Sequence, residues 1–154
     1  MARVVLLTGG NLGDKTRSLA LARETVDLRI GRVICGSAVY ESEPWGFSAD
    51  ETFLNQVLVI ETDLEPVEVL DAVQDIEKGM GRRQIESPTG DGKRVYESRP
   101  IDIDILFFDD LILNTPRLTI PHPLIAEREF VLIPLREILP DYVHPVLKKR
   151  IRDL

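Results

Sequence analysis

Cysteine occurs only once in this 154-residue chain, at Cys35. No disulfide framework can form, and a reducing cytoplasm is the expected compartment. Positive charge is in deficit: 19 Lys and Arg stand against 26 Asp and Glu, a formal charge of −7. That balance argues against general binding of nucleic acid or of anionic membranes, both of which call for a basic surface. An anionic substrate would have to be held by local arginines and metal ions. No apolar run approaches the ~20 residues of a membrane span. The N-terminus enters a strand directly, without the charged and apolar regions of a leader, so none is expected. Repeats and low-complexity tracts are absent too. The length predicts a single domain over residues 1–154 with one sizeable core.

Phosphate-loop signatures are also missing. Gly9-Gly10-Asn11-Leu12-Gly13-Asp14 does not fit G-x-G-x-x-G. Asp14 separates Gly13 from Lys15-Thr16, where a Walker loop needs Gly-Lys directly. The stretch predicts a tight turn between a buried strand at 3–8 and a helix at 14–29. That helix would bury Leu19, Ala22, Val26 and Ile30 at helical spacing.

What the chain does have is Arg99-Pro-Ile-Asp102-Ile-Asp104-Ile-Leu-Phe-Phe108. β-Branched and aromatic residues predict a strand, with Ile101, Ile103 and Ile105 on one face and Asp102 and Asp104 on the other. Alternate residues lie about 6.6 Å apart, which lets two carboxylates share a pair of hard cations. A solvated outer face of an antiparallel sheet accounts for those two residues equally well. The segment upstream, 82–98, lacks periodicity and carries Arg82, Arg83, Lys93 and Arg94, with Arg99 following. A long basic segment leading into paired aspartates favours a lid over a phosphate–metal site.

The remaining pattern predicts strands at 32–42 and 53–62, antiparallel to each other, with Phe53, Asn55, Val57 and Val59 on one face. A helix starting at Glu65-Pro66 buries Val69, Leu70, Val73, Ile76 and Met80, and Gln74 and Glu77 share another edge, in isolation a solvated one. Asp109-Asp110 predicts a tight antiparallel turn. His122 is held between two prolines. A last helix spans 126–139 with Val131, Leu135 and Ile138 inward, and His144 is expected at the surface. Together these elements predict an α+β, three-layer α/β/α domain.

Several of these segments occur together in a recognisable order: Gly9–Asp14, Phe53-Leu-Asn55, Glu77 with Gly81-Arg82, Arg99–Asp104, Pro121-His122 and Arg128-Glu-Phe130-Val-Leu-Ile-Pro134. The set resembles the 6-hydroxymethyl-7,8-dihydropterin pyrophosphokinases of folate biosynthesis, and the resemblance covers nearly the whole chain. It implies a ferredoxin-like-related fold, a mostly antiparallel sheet with helices on both faces. It also implies transfer of pyrophosphate from ATP to the pterin hydroxymethyl group, with AMP released. By match, Asp102 and Asp104 would bind two Mg²⁺ ions, and Arg82 and Arg99 would clamp phosphate oxygens as catalytic residues. Gln74, Glu77, Arg117, His122 and Arg128 fall around ATP. Ser42, Trp45 and Asn55 fall at the pterin edge, and Phe53 and Phe130 on its two faces. Tyr96-Glu-Ser-Arg99 stands where the family commonly has Trp-Gly-Pro-Arg, which makes Tyr96 the closing aromatic. The expected partners are these small substrates alone, with no nucleic acid or membrane, and the expected state is a monomer. Two rival readings are another two-metal nucleotidyl or phosphoryl transferase and a non-catalytic ferredoxin-like ligand-binding module.

Overall fold

The computed structural model describes residues 1–11, 13–42, 52–80 and 101–154. Its elements are β1 (Ala2–Gly10), α1 (Lys15–Arg29), β2 (Arg32–Gly36), β3 (Tyr40–Ser42), β4 (Phe53–Thr62), α2 (Pro66–Gly79), β5 (Asp102–Phe108), β6 (Leu113–Asn114), β7 (Thr119–Ile120) and α3 (Glu129–Ile138). The main sheet runs β2-β4-β1-β5, and β3 pairs with β4 beside β2. Every pairing in it is antiparallel. The order β1-α1-β2-β4-α2-β5 is a split βαβ arrangement, so the ferredoxin-like expectation holds. β1 is buried from Val4 to Gly10, as a central apolar strand should be.

Two apolar layers sandwich this sheet. On one face Leu19, Ala22 and Val26 of α1 and Val69, Val73 and Ile76 of α2 pack on Val4, Leu6, Ile60, Ile103 and Ile105. On the other, Val131, Leu132 and Leu135 of α3 pack on Val5, Leu7, Val57, Val59, Leu106 and Phe107. A bulge lets β5 serve both layers: Val5 pairs with Phe107 but Leu6 with Ile105, which leaves Leu106 as the extra residue. The phase of side chains therefore changes there, and Leu106 and Phe107 both face α3. N-terminal to the bulge, the α3 side of β5 carries Asp102 and Asp104.

Local chemistry sets the helix starts. Asp14 caps α1 by accepting the Arg17 N–H at 3.1 Å. The Glu65 N–H before α2 donates to the Glu68 carboxylate at 2.9 Å, with Pro66 at the first helical position. Between α1 and β2, Gly31 lies against β4: a Cβ there would stand 2.1 Å from the Glu61 carbonyl oxygen.

Several local expectations need correction. Gly9 and Gly10 are not turn residues but the last two residues of β1. The predicted strand 32–42 breaks at 37–39. There the Ser37 hydroxyl accepts the Val57 N–H at 3.0 Å, and the Glu137 carboxylate accepts the Ala38 N–H at 3.1 Å and the Tyr40 hydroxyl at 2.5 Å. These side chains take over part of the strand ladder. The Asp109-Asp110 turn does not return the chain alongside β5. Asp109 adopts φ 49, exchanges hydrogen bonds with the Arg3 backbone, and hands the chain to a separate two-stranded β6–β7 ribbon. The last helix begins later than expected, after a single 3-10 turn at Ile125–Glu127 and an extended Arg128. His144 is buried rather than at the surface, 5% exposed, with its ring edge-on to Phe107. Its Nδ1 accepts the Val146 and Leu147 N–H groups, and burial pushes its pKa down. A sequence view of a His before a Pro near the chain end carries no sign of that loop.

Candidate active site

The site grows from the register of three strands. Gly9 of β1 pairs with Asn55 on one side and with Asp102 on the other, so Asn55, Gly9 and Asp102 form one row across the sheet. Directly paired residues share a face, here the α3 face. The next row on that face is Val57, Leu7 and Asp104. Both aspartates are half-buried, standing where the apolar layer under α3 ends.

Asn55 is 4% exposed, and its Nδ2 donates to the Ser42 hydroxyl at 2.7 Å. Its Oδ1 lies over Gly9, 2.7 Å from where a Cβ would be. Glycine is needed at that point because the amide occupies the space of a side chain. The sequence pattern took Gly9 for a turn residue and gave it no place in the site. Its signal was the pairing with Asn55 and Asp102, which no local pattern carries. Phe53, half-buried, pairs with Ser42 at the end of β4.

Among the described residues β5 is the edge strand on this side, and non-strand groups meet its outward backbone. The Ile103 N–H donates to the Glu77 carboxylate at 2.9 Å, and the His122 N–H donates to the Leu106 carbonyl at 3.0 Å. Glu77 and Gln74, which the helix period places on one edge, thus differ in setting: Glu77 is buried and Gln74 exposed. His122 is half-buried, and its Nδ1 accepts the Leu124 N–H at 3.3 Å. Burial lowers its pKa, the nearby Arg128 charge lowers it further, and Asp102 opposes both. With Nδ1 occupied as an acceptor, the neutral ring carries its proton on Nε2.

Arg128 precedes α3 and lies 5.6 Å from the Phe130 ring centroid, a cation–π distance. Arg117, before β7, forms an ion pair with Asp71 on α2, one helical step from Gln74. Asn55, Ser42, Phe53, Asp102 and Asp104 are thus brought together through strand register. His122 and Arg128 adjoin them through the electrostatics of Asp102 and of each other. Trp45, Arg82, Tyr96 and Arg99 lie outside the described residues.

Among the described residues no group of three or more His, Cys, Asp or Glu could hold a metal ion. Two half-buried carboxylates on one face fit a hard cation such as Mg²⁺, which uses one or two carboxylates and completes its shell with phosphate oxygens and water. No helix among the described residues is long and apolar enough to cross a membrane.

A ferredoxin-like sheet that lines an amide, an aromatic and paired carboxylates on one face offers a small-molecule site beside groups suited to a metal–phosphate. The family model for 7,8-dihydro-6-hydroxymethylpterin-pyrophosphokinase matches residues 5–140, and the chain belongs to that family, an ATP-using one of folate biosynthesis. The 2-amino-4-hydroxy-6-hydroxymethyldihydropteridine pyrophosphokinase of Porphyromonas gingivalis is 42% identical over 146 residues, 94% of this chain and 95% of that protein. The protein of the same description from Aquifex aeolicus is 37% identical over 155 residues, 99% of this chain and 90% of that one. Among solved structures, wild-type HPPK-DHPS of Plasmodium falciparum superposes with a TM-score of 0.78 at 19% identity. It is matched by 99% of this chain, which spans 44% of that longer one. That likeness shows the fold.

Proposed function

We propose that this chain transfers the pyrophosphoryl group of ATP to the hydroxymethyl oxygen of 6-hydroxymethyl-7,8-dihydropterin. The hydroxyl oxygen bonds to the β-phosphorus, the bond from that phosphorus to the α,β-bridging oxygen breaks, AMP departs, and the hydroxyl proton passes to solvent. The observation that supports this reading is the row Asn55–Gly9–Asp102, in which an amide suited to a heterocycle edge and a carboxylate suited to a metal–phosphate group share one sheet face.

Asp102 and Asp104 would hold the two Mg²⁺ ions, which supply charge neutralisation on the triphosphate when bound. Asn55 and Ser42 orient the pterin edge: with Nδ2 engaged by Ser42, the Asn55 Oδ1 is left as an acceptor for a ring N–H. Phe53 and Phe130 stack on the ring faces. Trp45 and Tyr96 complete that pocket, and Arg82 and Arg99 clamp phosphate oxygens through charge-assisted bonds. Gln74, Arg117, His122 and Arg128 border the nucleotide, His122 through Nε2 and Arg128 through its guanidinium, while Glu77, which the motif match groups with them, stands behind them against the β5 backbone. Residues 1–154 act as a single pyrophosphokinase domain and as a monomer, in the cytoplasm.

Incubation with ATP, Mg²⁺ and the hydroxymethyl dihydropterin should yield AMP in equal amount to pterin diphosphate. Release of pyrophosphate instead would mean nucleotidyl transfer and overturn the proposal.

A second expectation concerns Gly9. In Gly9→Ala the new Cβ would meet the Asn55 Oδ1, the far end of a flexible side chain, so the fold survives and the amide turns away. Loss of one oriented hydrogen bond predicts about tenfold weaker pterin binding, roughly 1.4 kcal/mol. Affinity for an ATP analogue should stay unchanged. Calorimetric titration of both ligands checks this, and an equal loss for the two would assign Gly9 to β1 packing alone.

A further inference from the structure

Resting on the two-carboxylate reading above, we propose that Glu77 is a positioning residue for Asp102 and Asp104, acting through the backbone of β5. Glu77 sits near the C-terminal end of α2, one residue after Ile76, which is 1% exposed in the α1–α2 layer. Its own exposure is 4%. A carboxylate is seldom buried so far unless its oxygens have work to do. One of them, Oε2, accepts the N–H of Ile103 at 2.9 Å.

The place of that bond gives it meaning. Ile103 lies between Asp102 and Asp104, with its side chain in the α1–α2 layer while theirs face the α3 side. Among the described residues β5 pairs with β1 alone, and its first residue is Asp102 itself. The start of an edge strand is where backbone pairing opens most readily. Glu77 supplies an acceptor there, carried on a helix that is anchored by Val69, Val73 and Ile76. A charged acceptor makes a stronger bond than a neutral one. Through that bond the carboxylate fixes the spacing and direction of both aspartates.

The test compares Glu77→Ala with Glu77→Gln in the full chain. Glutamine keeps an acceptor oxygen but removes the charge; alanine removes both. The Ile103 amide should exchange its hydrogen about tenfold faster in Glu77→Ala and near the wild-type rate in Glu77→Gln. The Mg²⁺ concentration for half-maximal binding of a non-hydrolysable ATP analogue should rise about tenfold in Glu77→Ala, as for loss of an outer-shell partner, and less than threefold in Glu77→Gln. An unchanged Mg²⁺ requirement in Glu77→Ala overturns the inference. So does an equal rise in both variants, which would make Glu77 a charge contact to the nucleotide. Should Glu77→Ala not fold, Glu77→Gln decides alone, and a tenfold rise in its Mg²⁺ requirement rejects the role. Asp102→Asn is measured in parallel. If it leaves the Mg²⁺ dependence unaltered, the two-carboxylate reading itself fails. If it shifts that dependence and Glu77→Ala does not, only the Glu77 role fails.

Discussion

Replacing Asp102 or Asp104 with Asn is expected to lower turnover by about three orders of magnitude, roughly 4 kcal/mol of transition-state stabilisation. The substitution keeps side-chain volume and removes a hard anionic ligand. Both residues are half-buried on the α3 side of β5, outside the two apolar layers, so their loss should leave the packing intact. Turnover at limiting and saturating Mg²⁺, together with a thermal melt, checks the expectation. Near-normal activity of both variants at limiting Mg²⁺ would remove the carboxylates from the mechanism.

The other large effect is on stability. A Cβ at Gly31 would stand 2.1 Å from the Glu61 carbonyl oxygen and 2.9 Å from both the Glu61 carbonyl carbon and the Thr62 Cβ. These are backbone atoms and the root of a β-branched side chain, so no rotamer change relieves the clash. The α1–β2 connection would have to lift off β4, stretching the 2.6 Å bond from the Thr62 hydroxyl to the Ile30 carbonyl. Gly31→Ala should cost about 3 kcal/mol or more, which is about 10 °C in melting temperature at this chain length. The clash lies at the end of β4 far from Asn55, so activity per folded molecule should persist. A melting temperature within about 2 °C of the parent would show that the connection yields cheaply.

Much of this framework was legible in the chain itself. β1, β4, α1 and α2 follow from period-two and helical patterns whose apolar faces do reach the core. The faces of β5 were legible as far as the bulge, and the resemblance in motif order supplied the family. Other features were hidden for physical reasons. Gly9 and Gly10 have a composition typical of loops, yet Gly9 occupies a strand because its neighbour's amide fills the space of its side chain. Ser37 ends β2 by bonding Val57 with both its backbone N–H and its hydroxyl, which a β-propensity pattern cannot register. Gln74 and Glu77 look equivalent on a helical wheel, but only Glu77 is placed against an edge strand. The adjacency of Asn55 and Asp102 required the register of both with Gly9, a long-range property. Trp45, Arg82, Tyr96 and Arg99, all named by motif, lie outside the described residues.

The dressing of β5's outer rim bears on how the molecule behaves in crowded solution. A bare rim of N–H and C=O groups is a template on which a second chain can add a strand, the start of domain swapping or fibrous aggregation. On β5 the Ile103 N–H is taken by Glu77 and the Leu106 carbonyl by the His122 N–H, so an incoming strand finds two of its anchor points occupied. Glu77 and the His122 backbone thus also act as gatekeepers against sheet growth. The opposite rim, β2, carries exposed Ile34 and Cys35, and there any tendency of the folded protein to self-associate through its main sheet should concentrate.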